Sequence, residues 1–172
     1  MRCAPKLHTR EDLEHDEIVE AVLAGLKQGQ QEYDVQAGLI LCAMRHQPVE
    51  LNLEIVEVAA RYKDKGVVAI DLAGDEANFP VKDHSEVFLK AKEKGLSITI
   101  HAGEAAGAES VNNALDLGAE RIGHGVYSKE DPEVVQRLKE EGTVLEVCPI
   151  SNRHTKAVSS VSEHPIKEYF DQ

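Results

Sequence analysis

Cysteine is scarce. The three present, Cys3, Cys42 and Cys148, are an odd set without Cys-x-x-Cys spacing. Two of them sit inside apolar runs, where a cysteine is expected to behave as a small buried hydrophobe, and a reducing, cytoplasmic setting fits them. No apolar run approaches the roughly 20 residues of a membrane span, and the opening Met1-Arg2-Cys3-Ala4-Pro5-Lys6 lacks the apolar core of a signal peptide. Basic charge is also in deficit. With a formal net charge of -12 and acids spread along the chain, neither a phosphate backbone nor an anionic membrane is an expected partner. No strand is followed by Gly-x-Gly-x-x-Gly, and no Gly-rich loop ends in Lys-Ser or Lys-Thr. Dinucleotide and P-loop sites therefore lose their main support. No Pro/Gly/Ser-rich linker divides the 172 residues, which are expected to form a single domain over 1–172.

What the sequence does contain is alternation. Short apolar, β-branched runs recur at Gly38 to Met44, Val67 to Leu72, Leu96 to Ile100 and Thr143 to Val147; they read as buried strands. Arg121 to Gly123 is a shorter candidate, and Met1 to Ala4 reads as the tail of a strand. Amphipathic stretches lie between them. Ile18, Val19, Val22, Leu23 and Leu26 make a helical stripe, as do Leu53, Val56, Ala59 and Ala60. Val87, Leu89 and Ala91 precede Gly95, a candidate helix stop, and Val111, Ala114 and Leu115 precede Gly118. Asp131-Pro132 predicts an N-cap and first helical residue ahead of Val134, Val135 and Leu138, with Gly142 closing that helix. A short helix is expected from about His164 to Phe170, with Pro165 in its first turn. Units of roughly 25 to 30 residues are βα repeats, so a parallel α/β sheet follows. Periodicity does not decide between an open and a closed sheet, but the missing phosphate motifs favour a barrel.

In such folds reactive groups gather at the carboxyl ends of strands. Leu96 to Ile100 runs into His101-Ala102-Gly103-Glu104, an imidazole at a strand tip with a carboxylate one loop turn later. Neutral imidazole is a good zinc ligand, and a carboxylate beside the metal can move protons. A lone histidine there is more often simply hydrogen-bonded. The next strand, however, ends in Gly123-His124-Gly125, a second imidazole at equivalent depth. Val68 to Leu72 delivers Ala73-Gly74-Asp75-Glu76, whose ordinary reading is a βα loop with solvated acids. In Cys148-Pro149-Ile150-Ser151-Asn152, Ser151 or Asn152 caps a turn or contacts a ligand, capping being commoner. Arg45-His46 reads as loop stabilisation, and His154 and His164 as surface residues of an irregular tail. The acids Glu17, Glu20, Glu140 and Glu141 read as solvated helix faces.

Taken together, Ile70-Asp71-Leu72-Ala73-Gly74-Asp75-Glu76, His101-Ala102-Gly103-Glu104, Gly123-His124-Gly125 and Cys148-Pro149-x-Ser151-Asn152 resemble the successive strand-end motifs of the adenosine deaminase family, in the same order. Leu39 to Pro48 resembles the preceding strand. The resemblance covers essentially the whole chain. It implies a (β/α)8 TIM-type barrel and zinc-dependent hydrolytic deamination of adenosine to inosine and ammonia. By the same resemblance His101 would ligate Zn2+ and Glu104 would protonate the purine ring nitrogen. His124 would orient the attacking hydroxide, and the Gly74 backbone amide would contact the purine. Adenine or a modified adenosine nucleotide is an alternative substrate. The His/Cys/Cys class of nucleobase deaminases is not indicated: His15-x-Glu17 and His84-x-Glu86 occur, but no Pro-Cys-x-x-Cys follows.

The family also draws metal ligands from a His-x-His on its first strand and an Asp-Asp on its last. None of the eight histidines has a partner two residues on, and no Asp-Asp occurs. A catalytic zinc takes three protein ligands plus water, and an eight-stranded barrel typically needs ~250 residues. The expectation is therefore about six of eight βα units, inactive alone: either a truncated copy of such an enzyme, or a half whose open edges pair with material supplying the missing strands. The alternative is a non-catalytic derivative acting as an interaction module.

Overall fold

A computed structural model describes residues 1–10 and 12–171. Among them, six strands form one parallel sheet in sequence order. These are β1 (Arg2–Cys3), β2 (Leu39–Met44), β3 (Val67–Ala73), β4 (Ser97–Ala102), β5 (Arg121–His124) and β6 (Val144–Glu146). The crossovers are α1 (His15–Glu32), α2 (Val49–Tyr62), α3 (Ser85–Glu93), α4 (Ala108–Asp116) and α5 (Pro132–Glu141), followed by α6 (Pro149–His154) and α7 (Ile166–Phe170). No helix among the described residues is long and apolar enough to cross a membrane.

Alternation assigns the two faces. Leu39, Leu41, Ala43, Ile70, Leu72, Ile98, Ile100, Ala102 and Ile122 share one buried cluster with Ile55, Val56, Phe88, Val111, Ala114, Val134 and Leu138 of the helices. The residues between them face the other way, and several of them are polar. Arg2, Asp71, His101, Arg121 and Glu146 are joined there by ion pairs. In a flat sheet β1 and β6 would stand about 24 Å apart. Instead Arg2 of β1 reaches both Asp71 of β3, at 2.9 Å, and Glu146 of β6. The sheet is therefore curled into an incomplete barrel of six βα units, polar inside, with β1 and β6 at its edges. The strands are not buried on both faces: Val68 is 51% exposed.

Helix ends follow local chemistry. Glu14 and Glu17 form a reciprocal capping box at α1, and the Asp131 carboxylate accepts the Glu133 N–H at 2.9 Å with Pro132 at the first helical position of α5. Gly95 and Gly142 adopt positive φ, 64° and 66°, as helix stops require. One stripe differs from expectation. In α3 the buried residues are Val87, Phe88 and Ala91, while Leu89 is 57% exposed, because a helix turns Leu89 away from Phe88 and Ala91. Cys148 is likewise exposed, since β6 ends at Glu146 and the chain turns there into α6. Pro165 precedes α7 as its N-cap instead of lying within it.

Candidate active site at the carboxyl ends of the strands

His101 is the penultimate residue of β4, with its ring on the polar face. Its Nδ1 lies 3.0 and 2.9 Å from the two Asp71 oxygens. Since a carboxylate accepts, Nδ1 carries the hydrogen and Nε2 keeps its lone pair for a ligand. Asp71 is fully buried, tied also to Arg2 and the Cys42 thiol. The β3–β4 ladder ends at Ile70↔Ile98. Beyond it, the buried guanidinium of Arg45 donates to the His101 carbonyl at 2.7 Å and to that of Phe79 at 2.6 Å. Arg45 thus stabilises the strand tips, as its position suggested.

The loop after His101 is wound around another buried acid. Glu76 accepts the N–H groups of Gly103, Glu104, Ala105 and Ala106 at 2.6 to 3.2 Å, together with the Ser110 hydroxyl. Four successive amides converging on one carboxylate fix where Glu104 starts. Gly103, at φ 69°, permits the turn; a Cβ there would lie 2.6 Å from a Val111 methyl. Glu76 is 6% exposed, whereas its neighbour Asp75 is solvated.

His124 closes β5 with φ 70°, a left-handed conformation rare for a side-chain-bearing residue. Gly125 shares it and sends its N–H back to the Ala102 carbonyl at 3.0 Å. The resulting turn brings the His124 ring to 5.2 Å, centroid to centroid, from that of His101. His124 Nε2 lies 3.3 Å from Glu104 Oε2. Burial pushes the His124 pKa down; the nearby Glu104 charge acts the other way, but burial is the larger effect, so the ring is neutral.

Asn152 and His164 complete the network, His164 against the expectation of a surface residue. Asn152 is fully buried and caps nothing. Its amide donates to Glu104 Oε1 at 3.0 Å and to His124 Nδ1 at 2.9 Å, and its oxygen meets His164 Nε2 at 3.1 Å. His164 is 5% exposed, not a surface residue; α6 and the following turn fold the tail over the site. Thr155 gives Glu104 Oε1 a second donor at 2.9 Å. His154 is exposed, as expected. Three of the four residues singled out from sequence, His101, Glu104 and His124, are therefore in one constellation. Gly74 stands at the exposed tip of β3 with φ 110°, and among the described residues its N–H has no hydrogen-bond partner. A Cβ at Gly74 would make only ordinary contacts, 3.6 Å from Arg45, so conformation and not space calls for glycine.

Residues 1–172 match the sequence profile of the adenosine deaminase family over their full extent. The chain belongs to the adenosine deaminase family. It is 44% identical over 173 residues to the adenosine deaminase of Clostridium kluyveri, a match covering 100% of this chain and 50% of that protein. Its fold superposes on the adenine deaminase of Arthrobacter aurescens with a TM-score of 0.90 at 31% identity, covering 99% of this chain and 52% of the other. An Arabidopsis N6-mAMP deaminase gives a TM-score of 0.83 at 28% identity, with coverages of 99% and 52%. The chain thus spans about half the length of the relatives it matches.

As for a metal, among the described residues no group of three or more His, Cys, Asp or Glu side chains is placed to hold an ion. His101, with Nδ1 bound to a buried carboxylate and Nε2 free, has the form of a metal-ligating histidine. The described residues fit one ligand of a zinc site and not a complete set.

Proposed function

We propose that this chain carries the proton-handling part of a zinc-dependent adenosine deaminase site, which converts adenosine to inosine and ammonia once the remaining ligands are supplied. The carrying observation is the Glu104–His124 contact at 3.3 Å beside His101. Glu104 is the acid that protonates the purine ring nitrogen. Two donors occupy its Oε1, so its proton resides on Oε2. His124, neutral and held by Asn152, offers an Nε2–H to the attacking oxygen. Gly74 presents its unpaired N–H to the purine. His101 offers Nε2 to Zn2+, which when bound lowers the pKa of water toward neutrality. Glu76, Asp71 and Arg45 touch no reactant and hold these groups in place.

On this reading the chain alone is inactive, and the ligands it lacks come from strands that close the sheet beyond β1 and β6. Residues 1–172 act as one domain, and the free thiols of Cys3, Cys42 and Cys148 suit a cytoplasmic setting. A second reading, an adenine or modified-adenosine aminohydrolase, is favoured by the fold shared with the adenine deaminase and the N6-mAMP deaminase.

The test is a chimera in which this chain replaces the matching half of the C. kluyveri protein, loaded with zinc and offered adenosine, adenine and N6-methyl-AMP. Loss of adenosine absorbance is expected with the chimera and not with the chain alone, and Glu104→Gln should abolish it. Turnover by the isolated zinc-loaded chain would refute its incompleteness. Full activity in Glu104→Gln would refute the assigned acid, and preference for adenine or N6-methyl-AMP would select the second reading.

A further inference from the structure

The hydrogen bonds behind Glu104 and His124 have a direction, and it originates at a backbone amide. The Ile166 N–H donates to His164 Nδ1 at 3.1 Å. A backbone N–H has no alternative role, so His164 Nδ1 is bare and the ring, held neutral by burial, carries its hydrogen on Nε2. That N–H faces Asn152 Oδ1 at 3.1 Å, which fixes the amide: Oδ1 toward His164, both Nδ2 hydrogens toward Glu104 Oε1 and His124 Nδ1. His124 therefore accepts at Nδ1 and carries its hydrogen on Nε2, facing Glu104 Oε2. A flipped Asn152 would set oxygen against the Glu104 carboxylate and NH2 against the His164 N–H. His124, Asn152 and His164 are each more than nine-tenths buried, so water does not substitute readily for a missing partner among them.

When Glu104 is ionised its own charge also favours this Asn152 orientation. Once Glu104 holds a proton that preference weakens, and the His164 donor is what keeps the amide in place. We propose that His164 is a positioning residue: by orienting the Asn152 amide, it sets the tautomer of His124 and reserves Glu104 Oε2 as the oxygen that gains and loses the proton. The second half rests on Glu104 being the acid of the deaminase reading; the tautomer does not.

The test is nitrogen NMR on the 15N-histidine-labelled chain, which distinguishes a protonated from a bare ring nitrogen. His164 and His124 should both appear as the Nε2–H tautomer; a hydrogen on Nδ1 of either ring in the wild-type chain would overturn the proposal without any variant. Two amide variants then separate positioning from packing. His164→Gln places an N–H near the Nε2 position and should leave His124 unchanged. His164→Asn reaches only as far as Nδ1, keeps an acceptor for Ile166, and should let the His124 Nδ1 resonance move toward its protonated value. Equal effects of the two variants, in chains that keep wild-type spectral dispersion, would refute the proposal. In the chimera, His164→Asn should lower kcat by about 10- to 100-fold, the usual range for outer-shell partners, with KM little changed and His164→Gln restoring the rate. A chimera inactive on adenosine with the expected tautomers would sink the deaminase reading and leave the positioning role standing.

Discussion

Replacing Glu76 should loosen the loop that carries Glu104 before it loosens the fold. The carboxylate accepts four backbone N–H groups and the Ser110 hydroxyl. In Glu76→Gln the single remaining oxygen best serves the three amides of Glu104, Ala105 and Ala106 that share Oε2. The NH2 then faces the buried Gly103 N–H, which is left without an acceptor. One orphaned buried donor costs about 1–3 kcal/mol, and three bonds that change from ionic to neutral acceptors lose a further fraction each, for about 3 kcal/mol together. Glu76→Ala orphans all five donors and should cost about 5 kcal/mol, water entering the vacated space offsetting part of the sum. Against a usual domain stability of about 5–15 kcal/mol, the Gln variant remains folded.

Amide hydrogen exchange locates the effect. The amides of residues 103 to 106 should exchange about 100-fold faster in Glu76→Gln, the factor that 3 kcal/mol allows. Those of Ile70, Ile98 and Ile100 should change much less, and the urea midpoint followed by circular dichroism should fall. Unchanged protection at residues 103 to 106 would show that the loop does not depend on this carboxylate, and the account of how Glu104 is placed would fail.

Gly123→Ala places a Cβ 3.1 Å from His101 Cγ and 3.2 Å from Nδ1, so it should push the ring off Asp71 and cost about 1–3 kcal/mol as overpacking; unchanged urea stability would contradict this. Burial lowers the pKa of His84, whose ring spans the Arg45 carbonyl and Asn52. The unfolded chain therefore binds a proton first, so stability is complete above pH about 6.5 and falls as pH drops below it; His84→Gln should flatten that slope in urea titrations. Cys148 is exposed while Cys42 is buried, its thiol pKa pushed far up by burial and by Asp71. A thiol reagent should label Cys148 rapidly and Cys42 only on unfolding; equal rates would refute the placement of Cys148.

The fold was legible because the longer strands β2, β3 and β4 are apolar runs with amphipathic helical stripes between them, and Gly95, Gly142 and Asp131-Pro132 marked helix ends in the chain itself. What the runs concealed was the polar inner face. Asp71, flanked by Ile70 and Leu72, carried a usable signal: a charge inside an apolar strand has to find a partner, and its partners are His101 and Arg2.

No comparable signal existed for Glu76 or His164. Asp75 and Glu76 are adjacent acids in one loop; only the direction in which the backbone leaves Gly74 decides which meets solvent and which meets the four amides. His164 lies 60 residues beyond Glu104, in a segment without periodicity, and acquires its role because α6 turns the tail back over β5. Strand-tip motifs identify the groups that face a reactant, since each is placed by its own strand. The groups that orient them arrive from loops and from the tail, through contacts between distant parts of the chain. A tautomer or the choice of a carboxylate oxygen is set by such contacts, so the chemistry of His124 and Glu104 is specified at Ile166 and His164 as much as at residues 101 to 125.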